Sequence, residues 1–164
     1  MKSLALYELD SFLHRASKML TDYHLPSPTI HFDQLSGLPR IIAEEKNYDL
    51  IELNAKWQQG YIQANVQQRE ILDAITSTIE SNRTSLFFID GPGGTGKTYI
   101  ENLLLVWVRS TGRIALAVAS SGIASILLNG GHTSYSRFKI PINIHANSIG
   151  HISGQSNLAA LLQV

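Results

Sequence analysis

Apolar residues near the N-terminus recur every three or four positions, which is the spacing of one face of an α-helix. They run from Leu6 to Leu20 and predict a helix over residues 3–20. The helix must end before Pro26, because a residue that precedes proline is held out of the helical conformation. The next segments predict, in order, a loop, a weak helix and a stretch of ambiguous pattern: residues 26–39, 41–50 and 52–65. We therefore expect a mainly helical or irregular N-terminal appendage over residues 1–60.

The pattern sharpens from Gln67 onward, where helix-like and strand-like segments alternate. Isoleucines at four-residue steps from Ile71 to Ile79 predict a helix, and the apolar run Leu86–Ile89 predicts a buried parallel strand that ends at Asp90. Beyond a glycine-rich loop, the pattern predicts a helix, a second buried strand and a short helix: Thr98–Arg109, Ile114–Ala119 and Ser121–Leu128. Because a strand–helix–strand unit crosses over with a right hand in a parallel sheet, residues 61–164 predict an α/β domain.

The glycine-rich loop fits the pattern G-x-x-x-x-G-K-[ST] of a phosphate-binding loop. Glycines let the backbone wrap around phosphates, and the start of the following helix adds a positive dipole at the same point. Lys97 is expected to contact the β- and γ-phosphates and the Thr98 hydroxyl to hold Mg²⁺, which makes these two the candidate catalytic residues. The candidate nucleotide-binding residues of the loop are Gly91, Pro92, Gly93, Gly94, Thr95, Gly96, Lys97 and Thr98.

The same glycines also match G-x-G-x-x-G, the fingerprint of a dinucleotide-binding loop. That fingerprint needs an acidic residue at the end of the next strand, where it binds the ribose hydroxyl. The second predicted strand ends at Ala119, no acid follows Glu101, and the fingerprint gives Lys97 and Thr98 no role. The dinucleotide interpretation is therefore rejected.

Two glutamines, Gln67 and Gln68, open the helix that precedes the first predicted strand. A glutamine amide both donates and accepts hydrogen bonds, which suits the edge of an adenine base. Taken alone, two glutamines at this place indicate a solvated helix start more often than a nucleotide contact.

Composition narrows the possible classes of protein further. Of 164 residues 44% are hydrophobic and none is cysteine, so a packed core is possible, while disulfides, zinc fingers, iron–sulfur clusters and a cysteine nucleophile are excluded. No apolar run is long enough to span a membrane, and Glu8 and Asp10 argue against a secretory signal or a transit peptide. We expect no membrane partner and no disulfide partner, and a nuclear location although no targeting signal is readable.

The two signs of charge are unevenly distributed, although thirteen bases balance thirteen acids. Residues 1–101 hold all thirteen acids and nine bases, a net charge of −4, whereas residues 102–164 hold four bases and no acid, a net charge of +4. An acid-free segment of this length could face a polyanion such as nucleic acid. The alternative, a sparsely charged and mostly buried segment, is favoured on charge alone, because four bases are far from a strong phosphate footprint.

Two hydroxyl-rich clusters lie in this acid-free segment. Ser120 and Ser121 follow the second predicted strand, at the carboxyl end where open α/β sheets bind ligands, but they could equally be helix N-caps. Residues 131–139 combine hydroxyls, two aromatic rings and two bases, which suits phosphate positioning and base stacking, or else a surface loop anchored by Phe138. The candidate DNA-binding residues are Ser120, Ser121, Thr133, Ser136, Arg137 and Lys139.

Taken together, these motifs resemble the Pif-type DNA helicases of superfamily 1, and most closely the helicase module of Helitron-like transposons. Asp90–Thr98 is similar to the family's nucleotide loop and Val118–Ala124 to its motif Ia. Asn65–Arg69 resembles its adenine-recognising motif, with Gln68 as the recognising glutamine. Segments 130–133 and 136–141 resemble its next DNA-contacting block, and segment 41–49 is similar to what precedes the helicase core in transposon members. The chain departs from the family at Tyr135, where histidine is usual, and at Ala64, where leucine is usual.

The resemblance implies a partial RecA-like P-loop NTPase domain over residues 61–164, with ATP and Mg²⁺ as cofactors and single-stranded DNA as partner. It implies an ATP-dependent DNA helicase that moves five-prime to three-prime, in DNA repair, recombination, telomere maintenance or transposition. The family's acidic magnesium motif is expected shortly after Leu162, so the chain is interpreted as an N-terminal fragment that binds ATP without turning it over. Two alternatives stay open: another P-loop protein, such as a small kinase or GTPase, and a non-functional transposon relic.

Overall fold

The structure is a computed structural model that describes residues 6, 9, 13, 19–26, 39–141, 145 and 152–163. Contacts between residues divide the chain into two units, Met1–Asn47 and Tyr48–Val164. The domain boundary that the sequence predicts at residue 60 stays a prediction.

In the first unit, the described residues form a 3₁₀ turn, Leu20–Tyr23, and helix α1 (Arg40–Lys46). Leu20 is buried in the turn, and Ile42 and Ala43 are buried in the helix. The helix predicted over residues 3–20 and the loop predicted over residues 26–39 lie almost entirely outside the described residues. The weak helix predicted over residues 41–50 is confirmed as far as Lys46, where α1 ends.

Helix α2 (Leu50–Gln63) opens the second unit. The carboxylate of Asp49 caps it by accepting hydrogen bonds from the backbone N–H groups of Ile51 and Glu52, at 2.9 and 3.0 Å. Such a cap satisfies N–H groups that have no acceptor inside the helix. The stretch 52–65, which has an ambiguous sequence pattern, is therefore helical as far as Gln63.

Helix α3 (Val66–Glu80) begins with a reciprocal cap. The Asn65 side chain accepts a hydrogen bond from Gln68 N, and the Gln68 amide oxygen accepts one from Asn65 N. This capping box satisfies two N–H groups that the first turn of a helix leaves free. The helix predicted from Gln67 is confirmed, and Leu72 and Ile75 lie on its buried face.

Helix α4 (Lys97–Ser110) is the centre of the second unit, and both α2 and α3 pack on it. The core between the three helices consists of Ala64, Leu72, Ile100 and Leu103. Gly60 lets α2 approach closely, because a Cβ at that position would lie 2.5 Å from Leu103 Cδ1. The Tyr99 hydroxyl donates a hydrogen bond of 2.6 Å to Gly60 O and fixes α2 against the first turn of α4.

Aromatic side chains complete the packing around α2. The centroid of the Trp57 ring lies 5.3 Å from that of Tyr61 and 6.1 Å from that of Trp107 on α4. The Tyr61 hydroxyl donates a hydrogen bond of 2.8 Å to Asp73 Oδ1 on α3, and this bond raises the pKa of Tyr61. These contacts join α2 to both other helices, so the three helices together support the loop that precedes α4.

The sheet that the described residues form has two short parallel strands, β1 (Val118–Ala119) and β2 (His132–Thr133). Val118 lies opposite His132 and Ala119 opposite Thr133. Helix α5 (Gly122–Ile126) connects the strands, and helix α6 (Ser134–Phe138) follows β2 directly. The parallel sheet with a helical connection agrees with an α/β fold, although helix dominates and the strand predicted over 114–119 is reduced to its last two residues. Helix α7 (Asn157–Leu162) is the last described element.

The strand predicted over Leu86–Asp90 is not formed, and this part of the prediction is wrong. Among the described residues no segment pairs with it, and a strand depends on a neighbour for its backbone hydrogen bonds. Phe87 and Ile89 line a groove of about 270 Å³ beside Ile71 and Ile75 of α3. Phe88 borders the same groove, yet Phe88 is 90% exposed and Leu86 is 98% exposed.

Candidate functional site

The loop between Asp90 and α4 adopts the tight backbone turn that its glycines predict. Gly94 and Gly96 have φ angles of +80° and +88°, in the left-handed region that side-chain-bearing residues rarely adopt. A Cβ at Gly93 or Gly94 would meet no atom within 4 Å, so the backbone there is open to a ligand. Gly96 is also the N-cap residue of α4 and supplies no side-chain acceptor to the free N–H groups of that helix.

Lys97, the first residue of α4, turns its ammonium group back over the loop. The Nζ atom donates hydrogen bonds of 2.6 Å to Gly91 O and 2.8 Å to Pro92 O. A cation, open backbone and an uncapped helix N-terminus therefore meet at one place. That combination binds phosphate groups, because the N–H groups and the helix dipole both favour negative charge.

The two threonines of the loop have different surroundings. The Thr95 hydroxyl donates a hydrogen bond of 2.9 Å to Pro92 O and so closes the loop on itself. Thr98 is exposed in the first turn of α4, beside Lys97, where a hydroxyl can reach a metal ion held by phosphate oxygens. Among the described residues, no group of three or more histidine, aspartate or glutamate side chains could hold a metal ion.

Gln68 lies against the loop although 27 residues separate it from Thr95 in the chain. Its amide nitrogen donates a hydrogen bond of 3.2 Å to Thr95 O, and a Cβ at Gly96 would lie 2.6 Å from the same nitrogen. Its amide oxygen is engaged in the cap of α3. The structure thus brings Gln68 to the candidate nucleotide site, while Gln67 is exposed at the start of α3.

The two serine and threonine clusters predicted to bind DNA meet at one edge of the sheet. Ala119 and Thr133 are opposite each other in the register, so Ser120 leaves β1 where Thr133 ends β2. The Ser121 hydroxyl accepts from Ala124 N, and the Thr133 hydroxyl accepts from Ser136 N. Both side chains are therefore helix N-caps, which the alternative interpretation expects for Ser121 but not for Thr133, while Ser120 and Ser136 are exposed.

The four bases of the acid-free segment divide into two buried and two exposed side chains. Arg109 is 3% exposed and Arg137 is 8% exposed, so little of either guanidinium reaches the surface. Arg113 and Lys139 are exposed. Within the described residues this segment is thus closer to the sparsely charged, partly buried alternative than to a continuous basic surface.

Asn102, which the sequence pattern does not single out, links α4 to the segment between α5 and β2. The Asn102 amide nitrogen donates a hydrogen bond of 2.8 Å to Leu127 O, and its amide oxygen accepts one of 2.7 Å from Asn129 N. Two turns further along, Arg109 donates to Asn129 O at 2.7 Å and to Ala115 O at 2.9 Å. The only sequence signal is their seven-residue spacing, which places both on one helix face.

The loop, its lysine and the helix behind it define a protein of the P-loop class. A family model described as PIF1-like helicase matches residues 63–164, which is more than half of the chain. The chain belongs to the PIF1-like helicase family, and this membership confirms the predicted Pif-type resemblance. No curated protein matches the chain. No helix in the described part of the chain is long and apolar enough to cross a membrane.

Proposed function

We propose that residues 61–164 bind Mg²⁺–ATP and single-stranded DNA as the nucleotide-binding part of an ATP-dependent DNA helicase. One observation carries the proposal: the ammonium group of Lys97 and the uncapped N-terminus of α4 converge on an open glycine backbone. Family membership supports it, because PIF1-like helicases use ATP and act on DNA.

The side chains around the loop suit a nucleoside triphosphate with its metal ion. When bound, Mg²⁺ would neutralise charge on the phosphates, and the Thr98 hydroxyl would be its ligand from this chain. The Lys97 ammonium would exchange its bonds to Gly91 O and Pro92 O for phosphate oxygens. Gln68 stands at the edge of the loop with an amide suited to a nucleobase, although the oxygen of that amide is already engaged by Asn65 N.

The family resemblance adds more specific assignments to this proposal. They are the Helitron-like relationship, five-prime to three-prime movement, a nuclear location, and roles in repair, recombination, telomere maintenance or transposition. Motif similarity around 118–124 and 130–141 supports the helicase assignments, and the similarity of segment 41–49 supports the Helitron-like relationship.

Nucleotide preference tests the proposal against a different P-loop function. A titration with fluorescent Mg²⁺–ATP and Mg²⁺–GTP analogues is expected to show no preference for guanine, because the chain has no Asn-Lys-x-Asp segment to read that base. Gln68→Ala is expected to weaken ATP binding more than GTP binding, because the Gln68 amide is proposed to recognise adenine. Strong guanine selectivity would contradict the helicase proposal and favour a GTPase.

DNA binding through the sheet edge is expected to be weak and sensitive to salt. Few exposed bases lie near Ser120 and Ser136, so few counterions are released and the slope of log affinity against log salt is shallow. Lys139→Asn is expected to lower the affinity for an oligothymidylate up to about fivefold and the slope by about one. Asparagine suits this position because Lys139 has a left-handed φ of +53°. Fluorescence anisotropy at several salt concentrations measures both quantities.

The control is Lys56→Gln, which removes an exposed lysine of α2 that is paired with Glu52 at 2.6 Å. Its DNA affinity is expected to equal that of the wild type. Arg137 is a poor single test, because a side chain that is 8% exposed contributes to packing as well as charge. Equal affinities for wild type and Lys139→Asn would exclude Lys139 from the DNA-binding surface.

A further inference from the structure

Asn102 binds the backbone on both sides of one turn. Its side-chain amide donates to Leu127 O at 2.8 Å and accepts from Asn129 N at 2.7 Å. An asparagine amide that satisfies one donor and one acceptor of a turn holds that turn in a defined position, as a pair of backbone bonds would. The residues it spans lie 25 and 27 positions further along the chain, so this contact is tertiary and not a local turn motif.

The position of Asn102 on α4 places it close to the phosphate loop. It lies five residues after Lys97, which corresponds to about 7–8 Å along the helix axis. Lys97 and Thr98 are the first two residues of the same helix. A displacement of the helix N-terminus therefore reaches Asn102 within one and a half turns.

The turn that Asn102 holds joins the elements that carry the candidate DNA contacts. Leu127 is the C-cap of α5, whose N-cap is Ser121. Gly131 N bonds back to Leu128 O, and β2 starts at the next residue and ends at Thr133. Movement of residues 127–131 would thus shift α5 and β2 together, because both ends of the turn continue directly into them.

A second attachment from α4 reaches the same turn through Arg109. It donates to Asn129 O and Ala115 O and lies 4.9 Å above the ring of Tyr48. Arg109 is 3% exposed, so its replacement would leave a cavity and disturb the fold. The Asn102 hydrogen bonds are at the surface, where water can replace them, so its truncation separates coupling from folding.

We propose that Asn102 is a positioning residue that couples nucleotide binding at the phosphate loop to DNA binding at the sheet edge. This inference rests on the proposed function. Nucleotide binding exchanges the bonds between Lys97 and the loop carbonyls for bonds to phosphate, which changes the contacts of the first residue of α4. The helix transmits that change as a unit, and the Asn102 amide passes it to residues 127–131.

The experiment measures the coupling as a ratio of DNA affinities. The affinity of the polypeptide 1–164 for a fluorescein-labelled oligothymidylate is determined with and without saturating Mg²⁺–AMP-PNP. The wild type is expected to show a ratio of about fivefold or more, in either direction. Asn102→Ala is expected to bind each ligand alone within about twofold of the wild type, with a ratio close to one. A merely structural role would lower both affinities and leave the ratio unchanged.

The matched control is Ser110→Ala, which removes a side-chain hydrogen bond to Trp107 O at the other end of α4. Its ratio is expected to equal that of the wild type. Amide hydrogen exchange gives a second readout: AMP-PNP is expected to change the exchange of residues 127–131 in the wild type and not in Asn102→Ala.

The outcomes separate this inference from the proposed function. A wild type that binds both ligands with a ratio of one overturns the inference and leaves the proposed function standing. An unchanged ratio in Asn102→Ala overturns the inference in the same way. A wild type that binds neither ligand overturns the proposed function and the inference with it.

Discussion

Lys97→Ala is expected to weaken Mg²⁺–ATP binding by more than tenfold. The ammonium group is the only cation in the loop, and it lies within 2.8 Å of two loop carbonyls, where it can reach a bound phosphate chain. A hydrogen bond to a charged partner contributes about 1.5–3 kcal/mol, and a loss of 1.4 kcal/mol already lowers an affinity tenfold. Isothermal titration calorimetry of the wild type and the variant measures the difference directly.

Two controls distinguish a lost phosphate contact from a damaged loop. Lys56→Ala removes an exposed lysine of α2 that lies outside the loop and is expected to leave the ATP affinity unchanged. Lys97→Met keeps the length of the side chain and is expected to bind ATP as weakly as Lys97→Ala. If Lys97→Ala binds ATP as tightly as the wild type, the loop does not hold phosphate in this protein.

The second expected result concerns turnover: the polypeptide 1–164 releases no phosphate from ATP above the level of its Lys97→Ala variant, with or without DNA. Phosphoryl transfer needs a carboxylate on the metal side, a group that orients water and a cation for the developing charge. The sequence contains no acidic residue after Glu101. Asp90 is exposed before the loop, and Glu101 is exposed on α4, where it lines a groove with residues 115–118.

A phosphate-release assay with saturating Mg²⁺–ATP and an oligothymidylate tests this expectation. Asp90→Asn and Glu101→Gln serve as further controls, and both are expected to give the same baseline as the wild type. DNA-stimulated release that Lys97→Ala abolishes would contradict the prediction. Loss of that release in Asp90→Asn or Glu101→Gln would assign the missing carboxylate to this chain.

Features that depend only on residues close together in the chain could be predicted from the sequence. The loop 91–98 can be recognised in the sequence because its left-handed glycines, its lysine and the start of the following helix all lie within eight consecutive residues. Helix α3 follows from isoleucines at four-residue steps together with the Asn65–Gln68 capping box, which lies within one turn. Family membership follows from the same local motifs, since their order and spacing are properties of the chain.

Which of the predicted residues are accessible depends on tertiary packing. Arg109 and Arg137 count as bases in the sequence, yet both are buried, because whether a long side chain faces solvent depends on what packs beside it. The contacts of Gln68 also depend on tertiary packing. Its amide oxygen accepts a hydrogen bond in the cap of its own helix, and its amide nitrogen donates one to Thr95 O on the distant phosphate loop.

Tertiary packing also explains why Leu86–Ile89 forms no strand and why Asn102 contacts a distant turn. An apolar run indicates a tendency toward a buried strand, but a strand exists only where a neighbour supplies hydrogen bonds, and no described segment does so here. The contact of Asn102 could not be predicted from the sequence, because an asparagine on a helix surface looks the same whether it faces water or holds a turn 25 residues away. The strand and the Asn102 contact both depend on partners that are distant in the chain, whereas the residues that shape the phosphate loop are neighbours in the sequence.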